Sequence, residues 1–134
     1  AKAGRTDGIQ VLLSGIEYLE DVSFRQRAVL ALGEVSDPRA VDVLLKLANE
    51  NGHALQEVAA EAIGHLRRSA KAEEIGKTLE RLAKSPMQGV MQRALVGLRW
   101  FDSASGWQII RAKAKDPSWK TRQVANEQLG HDTD

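Results

Sequence analysis

The chain has 134 residues, 43% hydrophobic and 28% charged, with a formal net charge of +1. That size fits one domain with its own core, and that balance excludes an intrinsically disordered chain. The absence of cysteine excludes disulfides, thiolate zinc sites and cysteine nucleophiles, and a reducing, cytoplasmic location is the expectation.

No apolar run approaches the ~18 residues of a membrane span, so no membrane contact is expected. Only six residues are aromatic, which leaves Leu, Val, Ile and Ala to build the core and favours helix over strand. The chain opens on Ala1 rather than Met, and a piece excised from a longer protein is expected. Charge is unevenly spread. Residues 1–50 carry six Lys/Arg against eight Asp/Glu, whereas residues 93–122 carry seven against two, a local balance of +5.

In chain order, the first element is a helix carrying Ile9, Val11, Leu12, Leu13, Ile16 and Leu19. It is apolar for the end of a helical stack, which suggests truncation or a dimer contact. Ser23 and Gln26 have capping-box spacing and mark the start of the next helix. Asp37-Pro38 marks another, because Asp accepts an otherwise orphaned amide and Pro lacks the amide that would be orphaned next. Val41, Leu44, Leu45 and Ala48 form its buried stripe.

After an Asn51-Gly52 turn, Leu55, Val58, Ala59, Ala62, Ile63 and Leu66 repeat at helical spacing. Gln56, Glu57, Glu61, His65 and Arg68 then face water. Ile75, Leu79 and Leu82 carry the following helix. Ser85-Pro86, with Gln88 in capping-box position, opens the helix bearing Val90, Met91, Ala94, Leu95 and Leu98. Trp100 and Phe101 end it as plugs for the last gap, and Asp102 reads as a cap or turn residue before Ser103. Asp116-Pro117 opens the last helix. No segment alternates with period 2, so the expectation is about eight helices of roughly 12–16 residues.

These helices repeat. Ala28 and Ala31-Leu32-Gly33 superimpose on Ala59 and Ala62-Ile63-Gly64 with a shift of 31, and Val58-Ala59 on Val90-Met91 with 32. Val90-Met91 maps onto Val124-Ala125 with 34, and Leu129-Gly130 falls where Ile63-Gly64 would place it. A period in the low thirties with two helices each is the signature of an α-solenoid. Gly33, Gly64, Gly97 and Gly130 are then residues of close packing and helix termination, not a phosphate loop.

The stretch Arg27 to Leu45, R-A-V-L-A-L-G-E-V-S-D-P-R-A-V-D-V-L-L, resembles a short HEAT repeat of the type found in phycobilisome-lyase-like proteins. Asp116 followed six residues on by Arg122 is similar to the start of another such inner helix. The resemblance implies an all-α protein, an α-solenoid of about four HEAT-like helical hairpins near 6–35, 37–68, 70–101 and 103–131. It also implies a concave face, lined by inner helices, that holds other macromolecules.

Fold alone does not fix function, and each chemistry that the resemblance allows has its own requirements. A two-iron hydroxylase subgroup needs His-Glu pairs, where this chain has Gln26-Arg27 and Glu57-Val58. His53, His65 and His131 offer no pair at i, i+3 or i+4, so no metal and no cofactor are expected. A subgroup that removes damaged bases from DNA uses tryptophans, an Asp and arginines, and Trp100, Trp107, Trp119, Asp102, Arg93 and Arg122 are the corresponding temptation. Nothing here would act on a bilin thioether. No phosphate loop or nucleophile elbow occurs.

The resulting expectation is a non-catalytic scaffold that binds a protein partner through Arg25, Gln56, Arg93, Lys120 and Arg122, with Trp119 as aromatic anchor. The alternative is nucleic-acid binding through the basic, tryptophan-containing C-terminal third.

Overall fold

A computed structural model describes residues 13–14, 16, 21–34 and 37–130. Among these residues lie seven α-helices and no strand. They are α1 (Val22–Leu32), α2 (Pro38–Asn49), α3 (Gln56–Ala62), α4 (Ala72–Leu82), α5 (Gln88–Phe101), α6 (Ala104–Lys113) and α7 (Trp119–Leu129). A 3₁₀ turn, Ile63–His65, continues α3. The helices span 7 to 14 residues, shorter than periodicity suggests, because tight turns and capping motifs consume the ends.

Helices α2 and α3, α4 and α5, and α6 and α7 pair as hairpins. Each odd-numbered helix also packs on the next odd-numbered one, α1 on α3, α3 on α5 and α5 on α7. The outer helices α2, α4 and α6 meet one another more sparingly. Close inner rows with wider outer rows curve a stack toward the inner side, which places α1, α3, α5 and α7 on the concave face. The fold is an α-solenoid of HEAT-like hairpins.

The predicted apolar stripes are its interior. Val41, Leu44, Leu45 and Ala48 are buried, as are Leu55, Val58, Ala59, Ala62, Ile63 and Leu66, and Val90, Met91, Ala94, Leu95 and Leu98. Ile16 is buried and Leu13 packs beside the core, while Ile9, Val11, Leu12 and Leu19 lie outside the described residues.

What sets the spacing of the inner row is backbone contact. A Cβ added to Gly64 would collide with the Gly97 carbonyl, and one added to Gly97 would sit 2.6 Å from the Ala60 carbonyl oxygen. Farther along the row, Gly33 meets the carbonyl of Ala62 in the same way. Gly130 differs, since the atoms nearest its hypothetical Cβ belong to its own helix, at 3.4 and 3.7 Å.

Polar ties cross from repeat to repeat at the period read in the sequence. Arg93 Nη1 donates to Glu61 Oε1 at 2.7 Å, Thr121 Oγ1 to Gln88 Oε1 at 3.2 Å, and Arg81 to Asn49 between outer helices. Lys71 bridges to Asp42 in the same manner.

Several helix starts fall elsewhere than the motifs suggest. Asp37 caps α2 as expected, accepting from the Arg39 amide at 2.9 Å. Ser85, however, accepts from the Met87 amide and Asp116 from the Ser118 amide, two residues on in each case. Those side chains close a turn, so the helices begin later, at Gln88 and Trp119. The cap of α7 is Ser118, accepting from the Thr121 amide at 3.5 Å. The cap of α1 is Asp21, not Ser23.

Gln56 is the clearest correction. It is 1% exposed, not a surface contact. Its Nε2 donates to the Ala48 carbonyl at 3.0 Å and to Asn51 Oδ1 at 2.9 Å, and its Oε1 accepts from the Gly52 amide at 3.3 Å. The side chain thus satisfies an orphan carbonyl at the end of α2 and clamps the turn, where Gly52 has φ +85°.

Three outcomes are expected. Gly64→Ala or Gly97→Ala lowers stability by about 1–3 kcal/mol, because backbone cannot move aside as a side chain can. Gly130→Ala changes it by less than about 0.5 kcal/mol. Urea unfolding separates these cases. By the same assay Gln56→Leu costs about 1–3 kcal/mol, since the buried Ala48 carbonyl loses its partner and the turn at Asn51 and Gly52 loses its clamp.

The third concerns pH. Hydrogen bonds from the Arg39 side chain and amide hold the Asp37 carboxyl below its ordinary value of 3.8. A depressed carboxylate stabilises the fold above its unfolded pKa and loses that contribution as pH falls through the folded value. The stability difference between wild type and Asp37→Asn is therefore largest near neutrality and shrinks below pH ~4.

Candidate functional site

The inner helices run parallel, so their starts line one edge of the stack and their ends the other. At the starts, Gly89 faces the Glu57 carboxylate and Gln88 meets Thr121; at the ends, Gly64 meets Gly97.

The edge of helix ends is occupied by its own contacts. Trp100 stacks on His65, with centroids 4.6 Å apart at 33°, and the Arg99 guanidinium lies 4.4 Å from its ring. Asp102 adopts φ 61°, a left-handed conformation that Asp tolerates, and reverses the chain in one residue between α5 and the Ser103 cap of α6. Its carboxylate accepts from Trp107 Nε1 at 2.6 Å and lies 3.5 Å from Arg67. Asp102 is thus the turn residue that the sequence suggests. Trp100 is half-exposed instead of plugging the core, while Phe101 packs against it.

This geometry separates the residues that resembled a base-removing site. Asp102 caps the far end of a 14-residue helix, about 20 Å from the start of α5 beside which Trp119 sits. Arg93 is bound to Glu61, and Arg122 Nη1 donates to the carbonyls of Asp116 at 2.8 Å and Pro117 at 2.9 Å. The Asp-to-Arg spacing of the repeat is therefore a turn lock. Half-buried His53 accepts from the Leu55 amide at 3.0 Å, so neither it nor His65 simply faces solvent; His131 lies outside the described residues.

The edge of helix starts is different. Trp119, the first residue of α7, is 62% exposed, and Met87, which precedes α5, is 41% exposed. Lys120 is exposed beside Trp119, with Nζ 5.9 Å from its ring centroid. Of the sequence-predicted contacts, Trp119, Lys120 and Arg122 come together on the first turn of α7, and Arg93 lies on the adjacent α5. Arg25, three inner helices away, is roughly 25–30 Å distant and donates through Nε to the Ile16 carbonyl at 2.8 Å. The residues form a strip, not a compact pocket. Met87 escapes the sequence reading because it sits in a turn, outside any helical periodicity.

The surface also holds a cavity of about 290 Å³ lined by Pro38, Val41, Asp42, Arg68, Ser69, Ala70 and Lys71. The Lys71–Asp42 ion pair lies at its wall, and the Asp42 carboxylate raises the Lys71 pKa above its ordinary value. No helix among the described residues is long and apolar enough to cross a membrane.

No curated protein and no solved structure matches the chain. The family model described as HEAT repeats matches residues 1–64, and the hairpins from Ala72 to Leu129 extend the same α-solenoid beyond it.

Proposed function

We propose that this chain is a non-catalytic interaction module that binds a protein partner along its concave face. HEAT repeats are commonly protein-interaction scaffolds. The observation that carries the reading here is Trp119: a large aromatic ring exposed to solvent at the start of a helix that its neighbours hold in place. A preorganised anchor loses little conformational entropy on binding, and buried tryptophans dominate interface energetics. Lys120 sits beside it, and Arg122, Arg93 and Arg25 lie along the same strip with their guanidiniums held by internal acceptors.

The basic balance of residues 93–122 supports a second reading, nucleic-acid binding through the C-terminal third. That reading is weakened by Arg93 and Arg122, whose guanidiniums are held by internal acceptors, and by Trp100, whose ring already has two stacking partners.

Crosslinking and capture with the chain as bait, followed by hydrogen-exchange mapping with the recovered protein, tests the proposal. Protection is expected on α5 and α7, and Trp119→Ala should weaken binding about tenfold or more while leaving helical content unchanged. Unaltered affinity in Trp119→Ala combined with Arg93→Glu and Arg122→Glu rejects it. Binding to an oligonucleotide that falls steeply with salt favours the second reading.

A further inference from the structure

The hairpin turns entering α5 and α7 share one edge, and their exposed side chains have a consistent chemistry. Lys84 and Lys115 sit in those turns and Lys120 follows Trp119, all three exposed. Met87 and Trp119 supply apolar surface among them. The two helix starts are tied by the Thr121–Gln88 hydrogen bond, so the groups form one continuous surface.

The acids that approach it, Asp116 and Glu57, are outnumbered by the three lysines. Asp116 is 3.8 Å from Lys113 and accepts from the Ser118 amide, so its charge is answered within its own turn. No acidic residue occupies the first turn of α5 or α7. Glu57, in the first turn of α3 beside Gly89, marks where the basic edge ends.

We propose that this edge docks an acidic, apolar-rich segment of another protein, its carboxylates meeting Lys84, Lys115 and Lys120 while an apolar side chain packs on Met87 and Trp119. The inference rests on the interaction-module reading and specifies the partner's chemistry. Charge complementarity selects the sign of the partner. The thioether of Met87 favours a polypeptide over a nucleic acid: methionine adapts to apolar side chains but offers no π-face for a base, whereas the indole accepts either. Three lysines also make a short track for phosphates, and each phosphate contact on a single strand contributes only about −0.7 to the salt slope.

The test is fluorescence anisotropy on the full chain with three labelled probes: an amphipathic peptide with Leu and Phe on one face and Glu on the other, the same peptide with every Glu replaced by Lys, and oligothymidine. The acidic peptide binds and the lysine peptide does not. Trp119→Ala together with Met87→Ala weakens binding about tenfold or more. The triple change Lys84→Glu, Lys115→Glu and Lys120→Glu exchanges the preference between the two peptides. These side chains are exposed, and circular dichroism checks that the variants keep their helices.

Equal binding of both peptides, binding of neither, or preference for oligothymidine overturns the proposal. If a captured partner instead protects other parts of the concave face, the basic edge is not its dock although the interaction-module reading stands.

Discussion

The backbone-to-backbone approach between Gly64 and Gly97 is the contact on which the rest of this stack depends. Any side chain at either position would push α5 away from α3, and the polar tie between Arg93 and Glu61 would lose its reach. The same closeness, met again where Gly33 faces Ala62, draws the inner helices together more tightly than the outer ones. Curvature follows from that inequality. A concave face exists because small residues are concentrated on one row of helices, while the outer row carries longer side chains such as Arg81 and Lys71 that bridge wider gaps.

Polar residues have two distinct fates on this scaffold. Gln56 and Arg122 bind backbone groups that a helix end or a turn leaves unsatisfied, Asp102 binds the Trp107 indole and Arg67, and that service fixes all three to the chain itself. A buried amide such as that of Gln56 is worth more as a clamp than as a recognition element, because freeing it would leave the buried Ala48 carbonyl without a partner. Lys84, Lys115 and Lys120 perform no such service, and their turns are already closed by Ser85, Asp116 and Ser118. Division of labour within each turn therefore leaves a basic edge available for recognition.

Much of the architecture was legible in the chain. The stripes Val41-Leu44-Leu45-Ala48 and Leu55 to Leu66 are buried as read, because helical period and apolarity are properties of neighbouring residues. Asp37-Pro38 was legible for the same reason. Ser85-Pro86 and Asp116-Pro117 misled by two residues, since the same side chain can cap a helix or close a turn and only the following backbone decides. Gln56 misled more deeply. A glutamine in the first turn of an amphipathic helix has the same sequence signature whether it faces water or a neighbouring helix end.

The sequence alone thus determined helix, period and the stacking of hairpins, all consequences of spacing within about two turns of chain and of its recurrence every 31 to 34 residues. Tertiary structure decided which polar side chains remain free. That outcome depends on partners across a turn, such as the Ala48 carbonyl for Gln56, and on partners a whole repeat away, such as Glu61 for Arg93, Gln88 for Thr121 and Arg67 for Asp102. Hydrogen bonds are short-ranged and directional, so no pattern of residue types along the chain encodes them until the helices have packed.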